Sequence, residues 1–182
     1  MSFLSKLIPP SRKGEKNLER GRAAEVRRDF ETAETYFRRA ADAFDEHLKV
    51  KDAAGKDVRP SHLVMAGIAY TRIGRDRDAI NVLDRCLAIK PIPDAFLHAG
   101  YAAAKLGEVA LAVDYWSKYP AWADQSHIAK ALREQVESLR NGGDPEEACQ
   151  AVAKAVFLQD RRDIGRRLMS RGRKEIPHHR GY

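Results

Sequence analysis

Apolar and polar positions follow one another along the chain with a helical period. In the first half, Ala40, Ala41, Phe44 and Leu48 recur three or four positions apart, a spacing that places side chains on one face of an α-helix. No sustained two-residue alternation bounded by turns predicts a β-strand. The pattern predicts eight helices, at about residues 15–27, 31–50, 61–73, 77–89, 94–106, 109–119, 126–141 and 145–172. The expected fold class is therefore all-α.

A recurring turn and alanine divide these helices into four units. In each unit a small turn precedes an alanine near the start of the second helix, and these alanines, separated by 46, 33 and 36 residues, are Ala33, Ala79, Ala112 and Ala148. Three units carry a glycine in the first helix: Gly21, Gly67 and Gly100. A bulky residue, such as Phe37 or Leu83, follows the alanine by four positions. Tiny side chains let two antiparallel helices approach closely, and the bulky side chain fills the gap beside them.

This pattern resembles the tetratricopeptide repeat, a helix–turn–helix unit of about 34 residues. The resemblance covers residues 15–158, with three clear units and a degenerate fourth, in which Val136 occupies the small-residue position. It implies an α-solenoid, a right-handed superhelical array of antiparallel helix pairs with a concave inner face. Such arrays need a polar terminal cap, a role that suits the arginine-rich C-terminal helix. The expected domains are a basic and apolar leader (1–14), the repeat domain (15–158), and a basic capping helix and tail (159–182).

Composition narrows the class of protein and its compartment. The chain has 182 residues, of which 43% are apolar, enough for one folded domain with a buried core. No stretch approaches the roughly 18 to 20 consecutive apolar residues that cross a bilayer, and the first ten residues lack the pattern of a secretory signal. The two cysteines, Cys86 and Cys149, are too few for a disulfide-built scaffold. A reducing, cytoplasmic location is the expectation.

Positive charge is concentrated at the two ends. The formal net charge is +7, with +4 on residues 1–22, +6 on residues 161–182 and −3 on the body between them. The candidate basic tail comprises Arg161, Arg162, Arg166, Arg167, Arg171, Arg173 and Lys174. Basic ends are either solvated or contact an acidic protein, a nucleic acid or anionic lipid. Nucleic acid is the less favoured partner, because no aromatic residue interleaves with these arginines before Tyr182.

The motifs of common enzyme classes do not occur in the sequence. It has neither a glycine-rich phosphate loop with its lysine nor a His-Glu-x-x-His zinc motif. None of the six histidines pairs with Cys, Asp or Glu at the close spacing of small metal sites. No constellation of acid, base and nucleophile is recognisable. The expectation is a protein that is not an enzyme and uses no cofactor or metal.

The resemblance also implies where a partner would bind. In proteins with this repeat, the first helix of each unit lines the concave face and holds an extended peptide or a helix. Transferring those positions gives a candidate groove of Leu18, Arg22, Val64, Ile68, Arg72, Leu97, Tyr101, Lys105, Arg133 and Arg140. The alternative is core packing for the apolar members and an ordinary solvated face for the bases. Apolar residues alternate with bases, so the groove would suit an acidic peptide with large apolar anchors.

The leading hypothesis is a non-enzymatic adaptor or scaffold that binds a peptide or helical segment in this groove. A first alternative is a nucleic-acid or anionic-surface binder that acts through the basic ends. A second is a secretion-type chaperone, because some of those proteins are short arrays of this repeat. The hypotheses differ in salt dependence, since binding to phosphates weakens steeply as salt is added.

Two apolar clusters have more than one possible role. The leader contains Phe3, Leu4, Leu7 and Ile8. The alternatives for this cluster are contact with a membrane surface or a partner's groove, docking into the protein's own concave face, and disorder. The third unit contains Tyr115, Trp116, Tyr119 and Trp122. These aromatic residues are either core or a patch that forms a dimer.

Overall fold

The computed structural model describes residues 8–123 and 125–174, and at 164, 165 and 167–174 it describes the backbone alone. Eight α-helices and no strand lie in this part of the chain. They are α1 (Pro10–Val26), α2 (Phe30–Ala53), α3 (Pro60–Arg72), α4 (Asp76–Ile89), α5 (Pro93–Lys105), α6 (Val109–Ser117), α7 (Ser126–Arg140) and α8 (Pro145–Lys174). The predicted all-α class is confirmed.

Prolines begin several of these helices and explain one difference from the predicted bounds. Pro10, Pro60 and Pro93 stand in the first turns of α1, α3 and α5, where a missing N–H costs no hydrogen bond and the fixed φ suits the helix. As a result α1 begins at Pro10 and not near residue 15, so the last part of the predicted leader is helical. The apolar cluster of the leader lies outside the described residues, except for the exposed Ile8.

Consecutive helices pack as hairpins around close glycine contacts. A Cβ atom added at Gly21, Gly67 or Gly100 would lie 2.6, 2.5 or 2.3 Å from a side-chain atom of Phe37, Leu83 or Trp116, respectively. The bulky partner follows its glycine by sixteen residues in all three hairpins. This contact explains the spacing in the sequence, because each hairpin brings the same two positions together.

The turns inside the hairpins use a left-handed residue. Gly74, Gly107 and Gly142 have φ values of 75°, 73° and 85°, and the corresponding residue of the first turn, Arg28, has a φ of 62°. Glycine adopts this conformation without a steric penalty, whereas a residue with a Cβ does not. The first turn is therefore the strained one.

Replacing Arg28 by glycine is expected to stabilise the protein by about 1 kcal/mol, because the left-handed strain is removed. The measurement is the urea midpoint of unfolding, with Arg27→Gly as the control. Arg27 is an exposed neighbour whose φ is −80°, so a glycine there should give no gain. An Arg28→Gly variant no more stable than the parent would contradict the strain.

The order of contacts between hairpins changes at the fourth one. The first helices of the first three hairpins pack successively, α1 on α3 and α3 on α5. In the fourth hairpin α7 packs on α6, as α3 packs on α2 and α5 on α4, but it is α8 that packs on α5. The predicted domain boundary at 158/159 falls inside α8, which is continuous. The last helix therefore lies against α5, the first helix of the third hairpin.

Candidate functional site

Helix α8 packs on α5 and shares cavities with residues of α1 and α3. We call the surface next to α8 the α8-binding face, and its residues are Arg22, Val26, Arg72, His98, Tyr101 and Lys105. The repeat pattern places these helices side by side, because each is the first helix of its hairpin. Three of the six residues carry a permanent positive charge. The surface is thus far more polar than the alanine-rich contacts inside the hairpins.

The beginning of α8 is held by one ion pair and one buried thiol. The Nζ atom of Lys105 lies 3.0 Å from Oε2 of Glu146, and this hydrogen bond raises the pKa of Lys105. One turn later, the Sγ atom of Cys149 lies 3.8 Å from the carbonyl oxygen of Tyr101. Cys149 is buried, and burial raises the pKa of its thiol to about 11. The thiol is therefore protonated and shielded at neutral pH.

Small apolar side chains form the middle of the contact. Val152, Ala153 and Val156 meet His98 and Tyr101 around a cavity of only about 10 Å³. His98 has an exposed fraction of 6%. Burial, together with the charges of Arg72 and Arg22, lowers the pKa of His98 well below 6.5. A neutral His98 is thus enclosed between two arginines and α8.

Arg72 connects three helices at the centre of the face. Its Nε atom lies 3.3 Å from Oε1 of Glu25 on α1, and its guanidinium lies 5.9 Å from the ring centroid of Phe37. The Nε atom is nevertheless buried without a hydrogen bond of good geometry. Leaving such a donor unsatisfied costs about 1–3 kcal/mol. The guanidinium is therefore able to donate a hydrogen bond to a better placed carboxylate.

The second half of the contact is loosely packed. Asp160 lies in the field of Arg22 and Arg72, which opposes the upward shift that burial gives its pKa. Within the described residues, no ion pair joins Asp160 to either arginine. A cavity of about 360 Å³ lies between Val26, Phe30, Arg72 and the α8 residues Val156 and Phe157. Phe30 at its edge is 66% exposed. The seam between α8 and α1 is therefore incompletely filled.

The ten predicted groove residues separate into three groups in the structure. Leu18, Val64, Ile68 and Leu97 are buried in the core, where their packing leaves no side chain for a partner in this arrangement. Arg22, Arg72, Tyr101 and Lys105 come together on the α8-binding face. Arg133 and Arg140 line a different cleft. The structure thus places Arg72 and Tyr101 against the chain's own helix, whereas Arg22 and Lys105 are exposed at the edges of this contact.

The other cleft lies between α6 and α7. It has a volume of about 630 Å³, and Trp116, Tyr119, Leu132, Arg133 and Arg140 are among its lining residues. Arg140 donates a hydrogen bond of 3.2 Å to Oγ of Ser117. Helix α6 ends at Ser117 and α7 begins at Ser126, and the cleft lies between these two helices.

The aromatic cluster divides between core and surface. Tyr115 and Trp116 are buried, and Trp116 donates a hydrogen bond of 3.1 Å to the carbonyl oxygen of Leu97. Tyr119 is half-buried, whereas Trp122 is 71% exposed. The core interpretation therefore applies to the first two residues and not to Trp122.

Part of the predicted basic tail belongs to the folded α8. Arg161, Arg162 and Arg166 are exposed; Arg162 donates to Oγ of Ser126, and Arg166 lies 2.7 Å from Oδ1 of Asp163. The side chains of Arg167, Arg171, Arg173 and Lys174 lie outside the described residues. The backbone of α8 is helical through Lys174.

A chain of polar side chains that sequence analysis missed joins the first three helices. The Nε2 atom of His62 lies 3.1 Å from Oε1 of Glu15, and Nδ1 of His62 lies 3.0 Å from Nε2 of His47. Burial lowers the pKa of His47, and the charges of His62 and Lys51 act in the same direction. The three residues are far apart in sequence, so no local spacing could have indicated their contact.

Two further observations limit the chemistry of the described residues. Over 8–123 and 125–174, no group of three or more His, Cys, Asp or Glu residues could hold a metal ion. No helix in that part of the chain has the length and apolar character to cross a membrane.

No protein-family model matches the chain, and no curated protein or solved structure matches it.

Proposed function

We propose that the protein is a non-enzymatic interaction module that binds an acidic helical segment of a partner protein on the α8-binding face. In this proposal the hairpins form a short solenoid of the tetratricopeptide type, and α1, α3 and α5 line its concave side. A cytoplasmic adaptor or scaffold is the corresponding cellular role. The function needs no cofactor.

The seating of α8 is the observation that carries the proposal. Helix α8 places Glu146 on Lys105, small apolar side chains on Tyr101 and His98, and Asp160 near Arg22. These are the features expected of a ligand for a face with bases at its ends and apolar contacts between them. The same face is thus able to hold an amphipathic acidic helix.

The anionic-surface alternative has weaker support. Two arginines of the basic region, Arg162 and Arg166, are hydrogen-bonded or paired within the fold, to Ser126 and Asp163. A nucleic-acid site would need such side chains for phosphates. A secretion-type chaperone would use the same face as an adaptor, so the identity of the bound segment is what distinguishes those two roles.

A displayed library of helical peptides, selected on the full-length protein, tests the proposal. Acidic amphipathic sequences are expected to be enriched. Their affinity should fall about tenfold for Arg72→Gln/Lys105→Gln, because two charge-assisted contacts are lost. Glutamine is used because reversing Arg72 would repel Glu25, its partner at 3.3 Å.

The matched control is Arg133→Gln/Arg140→Gln, which removes the same charge from the α6–α7 cleft. Affinity should stay within about twofold of the parent in this variant. Equal losses in both variants would contradict the assignment of the face. If an oligonucleotide bound instead, with affinity falling about a thousandfold or more between 50 and 200 mM salt, the anionic-surface alternative would replace the proposal.

A further inference from the structure

We infer that the partner is a helix that copies the inner face of α8 and binds by displacing it. This partner carries a carboxylate, small apolar side chains three, seven and ten residues later, and a second carboxylate fourteen residues after the first. The inference rests on the proposed function and specifies its ligand. Its spacing is that of Glu146, Cys149, Ala153, Val156 and Asp160.

The spacing defines a single seam along a helix. Positions three, seven, ten and fourteen residues apart lie on one side of an α-helix, and the two carboxylates are about 21 Å apart at a rise of about 1.5 Å per residue. On the face, the first carboxylate meets Lys105 and the second lies near Arg22 and Arg72. A partner helix that spans this distance therefore pairs both of its carboxylates with bases of the face.

The composition of the contact favours an exchangeable helix over a permanent core element. Inside the hairpins, buried side chains such as Phe37 and Ala40 belong to an apolar core, and a polar group such as the Trp116 indole N–H is satisfied there by the carbonyl oxygen of Leu97. Beneath α8 lie a neutral histidine, His98, and the guanidinium of Arg72. Contacts of this polarity are typical of interfaces that open and close, because separating them returns polar groups to water.

The packing also weakens along α8. Its beginning has an ion pair at 3.0 Å and the buried Cys149. Beyond Val156 there are a cavity of about 360 Å³ and the unpaired Asp160. On its other side the second half of α8 is held on α7 by the buried Gln159, whose Oε1 accepts a hydrogen bond of 3.2 Å from the N–H of His127. Local opening starts where apolar contacts are fewest, so a partner enters first on the α1-facing side of this second half.

The unfilled cavity adds a preference at one position. Val156 reaches only part of the space next to Val26 and Phe30. A helix with leucine at the corresponding position would bury one more methylene group there. The best partner is therefore expected to have a larger apolar side chain than α8 has at this point.

The probe is a labelled synthetic peptide with the sequence of residues 143–164, titrated by fluorescence anisotropy against full-length proteins. In the parent, α8 competes with the peptide and lowers its apparent affinity by the fraction of open molecules. In Glu146→Lys/Asp160→Lys, the affinity for the peptide should rise about tenfold or more. In Glu147→Lys/Gln150→Lys, which alters the exposed side of α8, it should equal that of the parent.

Two altered peptides test the specified chemistry on the Glu146→Lys/Asp160→Lys protein. A peptide with both carboxylates changed to lysine should bind at least tenfold more weakly. A peptide with Val156→Leu should bind about threefold more tightly, since one buried methylene is gained. Hydrogen exchange of the backbone amides of residues 149–160 should be faster in the variant protein than in the parent. If circular dichroism shows that the double variant has lost helix, the single variant Asp160→Lys replaces it.

The inference is overturned if all proteins bind the peptide equally or not at all. It is also overturned if binding ignores the two carboxylates, or if exchange of residues 149–160 is unchanged. If the helix library selects acidic ligands but peptide 143–164 does not bind, only the inference that the partner copies α8 is overturned. If peptide 143–164 binds tightly in place of α8 but no ligand from the library depends on Arg72 and Lys105, only the proposed function is overturned.

Discussion

Replacing Leu83 by alanine is expected to lower the free energy of unfolding by about 2–5 kcal/mol, the cost of emptying a fully buried leucine site. Gly67→Ala should lower it by about 1–3 kcal/mol, since the new Cβ would lie 2.5 Å from Cγ of Leu83. The double variant should lose less than the sum, because the added methyl group occupies space that the leucine leaves. Urea unfolding of the four proteins measures this coupling.

The control cycle combines Leu83→Ala with Gly21→Ala. A Cβ at Gly21 would lie 2.6 Å from Phe37, in another hairpin. The two effects should therefore add to within about 0.5 kcal/mol, as for separate sites. Additivity in the Gly67 cycle as well would contradict the close contact on which the hairpins depend.

Acid is expected to destabilise the protein through two histidines that the fold keeps neutral. The pKa of His98 and that of His47 are both lowered from 6.5. Below about pH 6.5 the unfolded chain binds protons that the folded chain does not, so stability is full above this pH and is lost as pH falls toward the folded pKa values. Each histidine can contribute a slope of up to about 1.4 kcal/mol per pH unit.

Urea midpoints between pH 7.5 and 5.5 measure this loss. His98→Gln cannot take up a proton, so its slope should be smaller than that of the parent by up to about 1.4 kcal/mol per pH unit. The control is His127→Gln, because His127 is exposed at the start of α7, and it should retain the parent slope. Equal slopes in the parent and in His98→Gln would show that His98 is not kept neutral by the fold.

The hairpins could be predicted from the sequence because their determinants are local. The glycine of the first helix and the bulky residue of the second stand sixteen positions apart, and each turn glycine has the left-handed φ that ends its first helix. The cap of α8 was equally local: Oδ1 of Asp144 accepts a hydrogen bond of 2.8 Å from the N–H of Glu146. The largest difference in the helix bounds is at the start of α1, where Pro10 begins the helix, and smaller differences occur at the ends of α2, α6 and α8.

The position of α8 could not be predicted, because it depends on how the fourth hairpin meets the third. Regular stacking would place α7, the first helix of its unit, on α5. In the structure α8 takes that place, and Arg133 lies in the cleft between α6 and α7. A partial signal was present in Cys149, Val152 and Val156, whose helical spacing marks an apolar stripe.

The buried Cys149 provides a chemical probe of the opening of α8. Alkylating reagents react only with an accessible thiolate. The Sγ atom of Cys149 is buried between α8 and α5, next to the carbonyl oxygen of Tyr101. Cys86, equally hidden but in the contact between α3 and α4 near the carbonyl oxygen of Pro60, supplies an internal reference within the same chain. The ratio of the labelling rates of Cys149 and Cys86 therefore distinguishes local opening of α8 from global unfolding of the protein.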